Sequence, residues 1–313
     1  MKKRSGKSSW WREHIVGFLI VLIGLLAMNA IFIAKAFRQT NTVTPEAAGQ
    51  LGAFVGGYVG PIFSLIGVFL LFMTLKSQSK ASELDHFENR YFELLKMHRD
   101  NVSDLQIQGA HGRKLFVLLL RELRCALDIV RQTAKKANLV LESEKAMYVA
   151  YYCLFFGVGP NSSRMLKMSL PAFDEEFIGK VEEALNNKET KKSVQKERNF
   201  PYVPFEGHQS RLGHYYRHLY QMIRYVDEHT IAIDKYEYVK TIRAQLSTHE
   251  QAMLLVNSRT LIGQDWWSKG FLVKYRLVQN IPKAFFDDAT EIDTSKLFEA
   301  GYFEWEEAPT RRV

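Results

Sequence analysis

Two uncharged apolar stretches near the start of the chain restrict its fold more than any other feature. Ile15–Ala34 runs for 20 residues and Leu51–Leu75 for 25 without an Asp, Glu, Lys or Arg. About 20 apolar residues in a helix span the hydrocarbon core of a bilayer, and a helix satisfies its own backbone groups where water is absent. A cleaved signal peptide has a shorter apolar region, and here a second stretch follows at once. The expected fold is mainly α. A two-helix N-terminal transmembrane hairpin occupies 1–76, with helices at about 15–37 and 51–75 and a turn around Pro45. A helical stalk follows in 77–106 and a helical cytoplasmic domain in 107–313. A buried helical hairpin of a soluble protein is the alternative.

Charge orients the hairpin. Lys2, Lys3, Arg4, Lys7 and Arg12 precede the first stretch, and Lys76 and Lys80 follow the second. Lys35 and Arg38 in the turn lie near a helix end and can snorkel to the interface. Positively charged flanks stay in the cytoplasm, so both termini are expected there, and Trp10 and Trp11 suit the aromatic belt. The net charge of +8 suits an anionic partner such as a membrane surface or a nucleic acid. The two cysteines, Cys125 and Cys153, form no CxxC pair, which speaks against a disulfide framework or a zinc site.

Gly52, Gly56 and Gly60 recur every four residues along the second stretch. Small residues at that spacing let another helix approach closely. The stripe serves either packing, within the chain or between copies in a homo-oligomer, or a weak point that opens as a pore. Gly60-Pro61 removes a backbone donor and is expected to disturb the helix locally. Asn29 is the one strongly polar side chain deep in the first stretch, able to bridge helices by hydrogen bonding.

Beyond the membrane segments the periodicity is helical. Leu84, Phe87, Tyr91, Leu94 and His98 form a three-four stripe, either for a short coiled coil or for docking on the domain. Leu115–Val130, Ser143–Phe156, Phe173–Leu185, Lys235–Gln245 and Thr248–Asn257 are expected as helices, with Gln251 completing the cap of the last from Ser247 or Thr248. Tyr148, Tyr151, Tyr152, Phe155 and Phe156 are expected in the core. Lys188–Arg198 is charged and lacks an apolar stripe, which predicts a solvated loop. Trp266–Phe286 is expected as a short strand or loop.

The candidate site lies in Gly207–Gln221. Its 15 residues hold three histidines, two arginines and three tyrosines at helical spacing. Leu212, Tyr216, Leu219 and Ile223 make the packing face. His208, Arg211, Tyr215 and His218 share another face, and His214, Arg217, Gln221 and Arg224 lie beside it. With Gln209, these side chains suit three uses. Arg211 could grip a phosphate while His218 moves a proton. Arg211, Arg217 and Arg224 could hold a phosphate or acidic peptide without turnover. The set could instead be a buried network paired with Asp227, Glu228, Glu237 and Glu250. His214 and His218 have a metal-ligand spacing, but no HExxH-type carboxylate completes it, so neither metal nor cofactor is expected. No GxxxxGK[ST] phosphate loop, dinucleotide fingerprint or Gly-x-Ser-x-Gly elbow occurs.

Gly207-His-Gln-Ser-Arg211, with Lys240-Thr-Ile-Arg-Ala-Gln-Leu-Ser-Thr-His-Glu250 downstream, resembles the bacterial, membrane-linked phage abortive infection proteins (AbiC-like). The resemblance covers roughly the last two thirds of the chain. It implies antiviral defence at the bacterial inner membrane. The expected partners are the lipid bilayer, further copies of the chain, a phage-derived trigger or RNA, and a neighbouring defence component. The effector expected is a cytoplasmic domain that senses infection coupled to a hairpin that impairs membrane integrity. The alternative is a membrane-tethered ribonuclease, because an Arg followed by His four to six residues later resembles the active motif of the all-helical HEPN ribonucleases. That resemblance assigns Arg211 to the scissile phosphate and His218 to general acid or base chemistry. Leu212 stands where that family often has a polar residue.

Overall fold

The structure, a computed structural model, describes residues 44–160 and 162–306 together with scattered positions between 17 and 30. By internal contacts the chain forms two compact units, Met1–Ser82 and Glu83–Val313. Among the described residues it is mainly α, with one two-stranded ribbon.

In the first unit, most of the expected span at about 15–37 lies outside the described residues. Gly24 is described, and a Cβ placed there would come within 3.2 Å of the Phe63 ring. The second apolar stretch is helical: α1 (Pro45–Phe54), a π turn (Val55–Val59) and the start of α2 (Gly60–Asp104). Pro61 accounts for the π turn. Its ring would collide with the carbonyl four residues back in a regular helix, and the wider turn before it, closed by the Gly60 N–H on the Val55 carbonyl, relieves that collision. The helical run Ala48–Asp104 is long and apolar enough to cross a membrane, with a mean hydropathy of 2.1 in its most apolar window and none of that window buried. No described atom comes within 4 Å of the Cβ positions of Gly52 and Gly56, whereas Gly60 meets the Val55 carbonyl oxygen at 3.3 Å.

In the second unit, the α2 stripe docks on the domain. Phe87, Tyr91, Leu94, Leu95, His98 and Val102 are buried. Phe87 stacks on Tyr225 at 5.3 Å and meets Tyr238 edge-on at 5.1 Å. Of the two uses open to this stripe, the molecule shows the intramolecular one. A tight ribbon, β1 (Gln106–Ile107) and β2 (Ala110–His111), reverses the chain. It leads into α3 (Lys114–Lys136), whose inner face includes Leu115, Leu119, Glu122, Ala126 and Val130. The next helix, α4 (Ser143–Phe156), is buried on nearly every side from Ala146 to Phe155, which makes it the central helix.

Four helices follow: α5 (Ser163–Ser169), α6 (Glu175–Asn186), α7 (Lys188–Arg198) and α8 (Gln209–Glu228). The helix α7 replaces the loop expected there. The Asn187 side chain accepts from Glu189 N and Thr190 N, and Asn199 ends the helix in the left-handed region at φ 53°. The segment is rich in good helix formers, and the buried Lys191 ties it to Glu206 at 2.6 Å. Capping and one inward cation thus substitute for an apolar stripe.

The chain continues through α9 (Lys235–Arg243) and the buried α10 (Thr248–Ser258). Ser247 caps α10, but its partner is Glu250 rather than Gln251. Gln251 instead bonds Leu246 and Asn280. The segment expected as strand or loop holds two short helices, α11 (Asp265–Ser268) and α12 (Phe271–Lys274), followed by turns that bury Leu277, Val278 and Ile281.

Candidate functional site

The start of α8 is set by a close backbone crossing. Gly157 ends α4 at φ +83° and Gly207 precedes α8 at φ +91°. A Cβ on Gly207 would lie 2.5 Å from the Phe156 carbonyl oxygen, and one on Gly157 would lie 2.6 Å from that of Glu206. Only glycine combines this backbone with this proximity. The crossing lets the His208 N–H donate to the Leu154 and Phe155 carbonyls, so one residue closes α4 and opens α8.

The His208 side chain turns inward to Glu122, Nε2 to Oε2 3.0 Å, and both groups are almost fully buried. Glu122 also accepts from the Tyr202 hydroxyl at 2.8 Å and the Phe205 amide at 2.6 Å. These three donors offset the desolvation of a carboxylate in the core. Two turns later Tyr215 donates to the buried Glu250 at 3.2 Å, which also accepts from Ser247 N and Oγ, with Arg113 3.6 Å away. Burial, reinforced by Glu250, pushes the Tyr215 phenol far above its ordinary range. Further along, Asp227 accepts from Lys274 and, at 2.6 Å, from the Tyr275 hydroxyl, while Arg224 pairs with Glu228. Much of the polarity of α8 is therefore consumed in holding helices together.

His218 differs. Its ring stacks on that of His98 from α2, centroids 5.9 Å apart and planes 14° apart. All four ring nitrogens are buried and have no hydrogen-bond partner among the described residues. Burial, then His218 and Arg113, hold the His98 pKa down to about 4. Burial, then His214, lowers that of His218. Both lowered values favour neutral rings at pH 7; His98 is buried, while His218 is half-buried with its nitrogens turned inward. Arg211 points elsewhere, donating from Nε to the Gln106 carbonyl at 2.9 Å. Arg211 and His218 lie about 10 Å apart along the helix, and the fold does not bring them onto one open surface.

What remains accessible on α8 borders two cavities. One, of about 370 Å³, is lined by Asn101, Asp104, Gln106, Ser210, Arg211 and His214. The other, of about 580 Å³, is lined on the opposite flank by Gln209, Gly213, Arg217, Tyr220, Phe156 and Trp266 among others. The predicted binding residues thus divide. Arg211 and His214 reach the first cavity and Gln209 and Arg217 the second, while His208 and Tyr215 are core. Each cavity sets one arginine beside neutral donors and one carboxylate, Asp104 in the first and Asp265 in the second. Among the described residues no group of three or more His, Cys, Asp or Glu could hold a metal ion.

Glu122 and His98 are the functional neighbours that sequence reasoning missed as such. Glu122 interrupts the stripe Leu115, Leu119, Ala126, Val130 at the position where an apolar residue belongs. A lone carboxylate on an apolar face was the available signal, since it must find donors inside.

No curated protein and no solved structure matches the chain significantly. Residues 207–286, from the Gly207 crossing through α12, match the family model described as "Putative phage abortive infection protein", so this segment carries that family's sequence signature.

Proposed function

We propose that the chain is a membrane-anchored effector of abortive infection whose helical domain responds to infection and whose apolar helices then impair the membrane. In this reading two spans place both termini in the bacterial cytoplasm, and copies of the chain associate through the Gly52 and Gly56 face. One observation carries it. The helix α2 is continuous from the apolar stretch to Asp104, and its Phe87 and Tyr91 pack on Tyr225 and Tyr238, which lie inside the family segment. Tyr91 and Tyr225 hydroxyls tie the two sides through the Tyr238 and Phe87 carbonyls. A shift in α8 or α9 would therefore act directly on the helix that carries the apolar segment.

The test is to express the full chain in a bacterial host, challenge with phage, and record membrane potential alongside total RNA integrity. Early depolarisation with intact RNA is expected, abolished by Gly56→Leu. RNA fragmentation at a maintained potential, lost in His218→Ala, would overturn this reading in favour of a tethered ribonuclease.

A further inference from the structure

A third cavity, of about 1150 Å³, opens between the outer face of α3, the end of α7 and the turns at 284–291. Arg121, Arg124, Asp128 and Arg131 recur at three- and four-residue steps, which puts them on one face of α3, and Arg198 joins them from α7. The arginines are not equally occupied. Arg124 is saturated: it bonds both oxygens of Glu291, at 2.6 and 3.1 Å, and the Phe285 carbonyl at 2.7 Å. Arg121, Arg131 and Arg198 form no ion pair among the described residues, and the Arg131 Nη2 is buried with no hydrogen-bond partner. Arg198 lies against the Cys125 thiol.

Five carboxylates share the cavity with the four arginines, but most of their oxygens are engaged by other donors. Glu291 is committed to Arg124 and to the Asp287 amide. Asp287 accepts from Ala289 N and Thr290 N and lies within electrostatic reach of Arg131, Glu197 accepts from Ser193, and Asp128 and Asp288 are exposed. A guanidinium N–H buried without an acceptor is costly. An oxyanion that accepts from several planar guanidinium groups removes that cost, and phosphate fits their geometry best. The floor adds an apolar surface, with Phe286 buried and Phe285 half-buried and held under Arg124 at 5.6 Å.

We propose that this cavity is a binding site for a nucleoside phosphate, with Arg121, Arg131 and Arg198 on the phosphate and Phe285 against the base. The three arginines lie outside the family segment and Phe285 lies inside its end, and the site stands whether or not the effector reading holds.

Isothermal titration of the full chain in detergent with ATP, GTP, CTP and UTP tests it, with inorganic phosphate as the comparison. At least one nucleotide is expected to bind saturably, about tenfold or more tighter than inorganic phosphate. Arg131→Ala and the exposed Arg121→Ala should each weaken binding at least about tenfold with an unchanged melting temperature, and Arg90→Ala, on the exposed surface of α2 beside Glu93, should not. Absence of saturable binding for all four nucleotides, equal binding of inorganic phosphate, or indifference to both arginine variants would overturn the proposal. Arg121→Ala guards against a folding defect in Arg131→Ala.

Discussion

Two histidines of one helix show opposite ways of burying an imidazole. At the start of α8, His208 meets a carboxylate that also serves Tyr202 and the Phe205 amide. Ten residues on, His218 meets another imidazole, and neither ring finds a partner among the described residues. The first arrangement is a junction: Glu122 joins α3, the 202–205 turn and α8, so its loss leaves three donors stranded. The second stores instability, because neutral rings that pair with nothing carry a desolvation cost without return. A helix dense in polar residues can therefore be rigid at one end and adjustable in the middle.

The sharpest break of that contrast is Glu122→Ala, which should destabilise the chain by about 4 kcal/mol by stranding buried donors. Glu122→Gln, which keeps an acceptor, should lose less. Thermal melting of the detergent-solubilised chain reads both, and an unchanged melting temperature would remove Glu122 from its place as the junction. Next in size is Gly207→Ala, expected to cost about 3 kcal/mol from left-handed strain and the clash with Phe156. A melting temperature equal to that of the native chain would show that the crossing relaxes.

The histidine pair makes a prediction of opposite sign. With its folded pKa near 4 against an ordinary 6.5, His98 favours the unfolded state as pH falls. Its neutral form contributes full stability above pH 6.5, and of the order of 3 kcal/mol is lost as pH drops from 6.5 through 4. His218, shifted in the same direction, adds to this. His98→Leu should flatten that acid limb and raise stability at pH 7 by about 1 kcal/mol. Melting curves between pH 4 and 8 check this, and a native-like acid limb in the variant would assign the loss to other groups. The smallest effect is expected for Arg217→Ala, which should change stability by less than about 0.5 kcal/mol because the side chain is exposed and pairs with no described residue. A larger change would mean that Arg217 belongs to the core network rather than to the second cavity.

Local pattern made much of this fold legible. The stripe from Leu84 to His98, the apolar run at 115–130, the breaker at Gly157–Pro160 and the packing face Leu212, Tyr216, Leu219, Ile223 are all statements about residues three and four apart, and the molecule uses them as helix faces. The loop expected at Lys188–Arg198 failed because capping by Asn187 and a buried ion pair replaced the stripe that periodicity looks for. In the candidate site, Tyr215 with Glu250 was foreseeable as a pairing of available groups. The separation of Arg211 from His218 was not, since each is turned by a partner on a different element, Gln106 for one and His98 for the other.

The amino-acid sequence by itself determined most of the helical segments, though not Lys188–Arg198 or the short helices after Gln264, as well as which stretch is apolar enough to cross a membrane and which helix is unusually polar. These depend on intrinsic backbone preference and on side chains within two turns of each other. Tertiary structure alone decided which polar groups are consumed and which stay open. Glu122 lies 80 or more residues from each of its donors, and a carboxylate, an imidazole or a guanidinium takes its role from whatever the folded chain brings within hydrogen-bond reach.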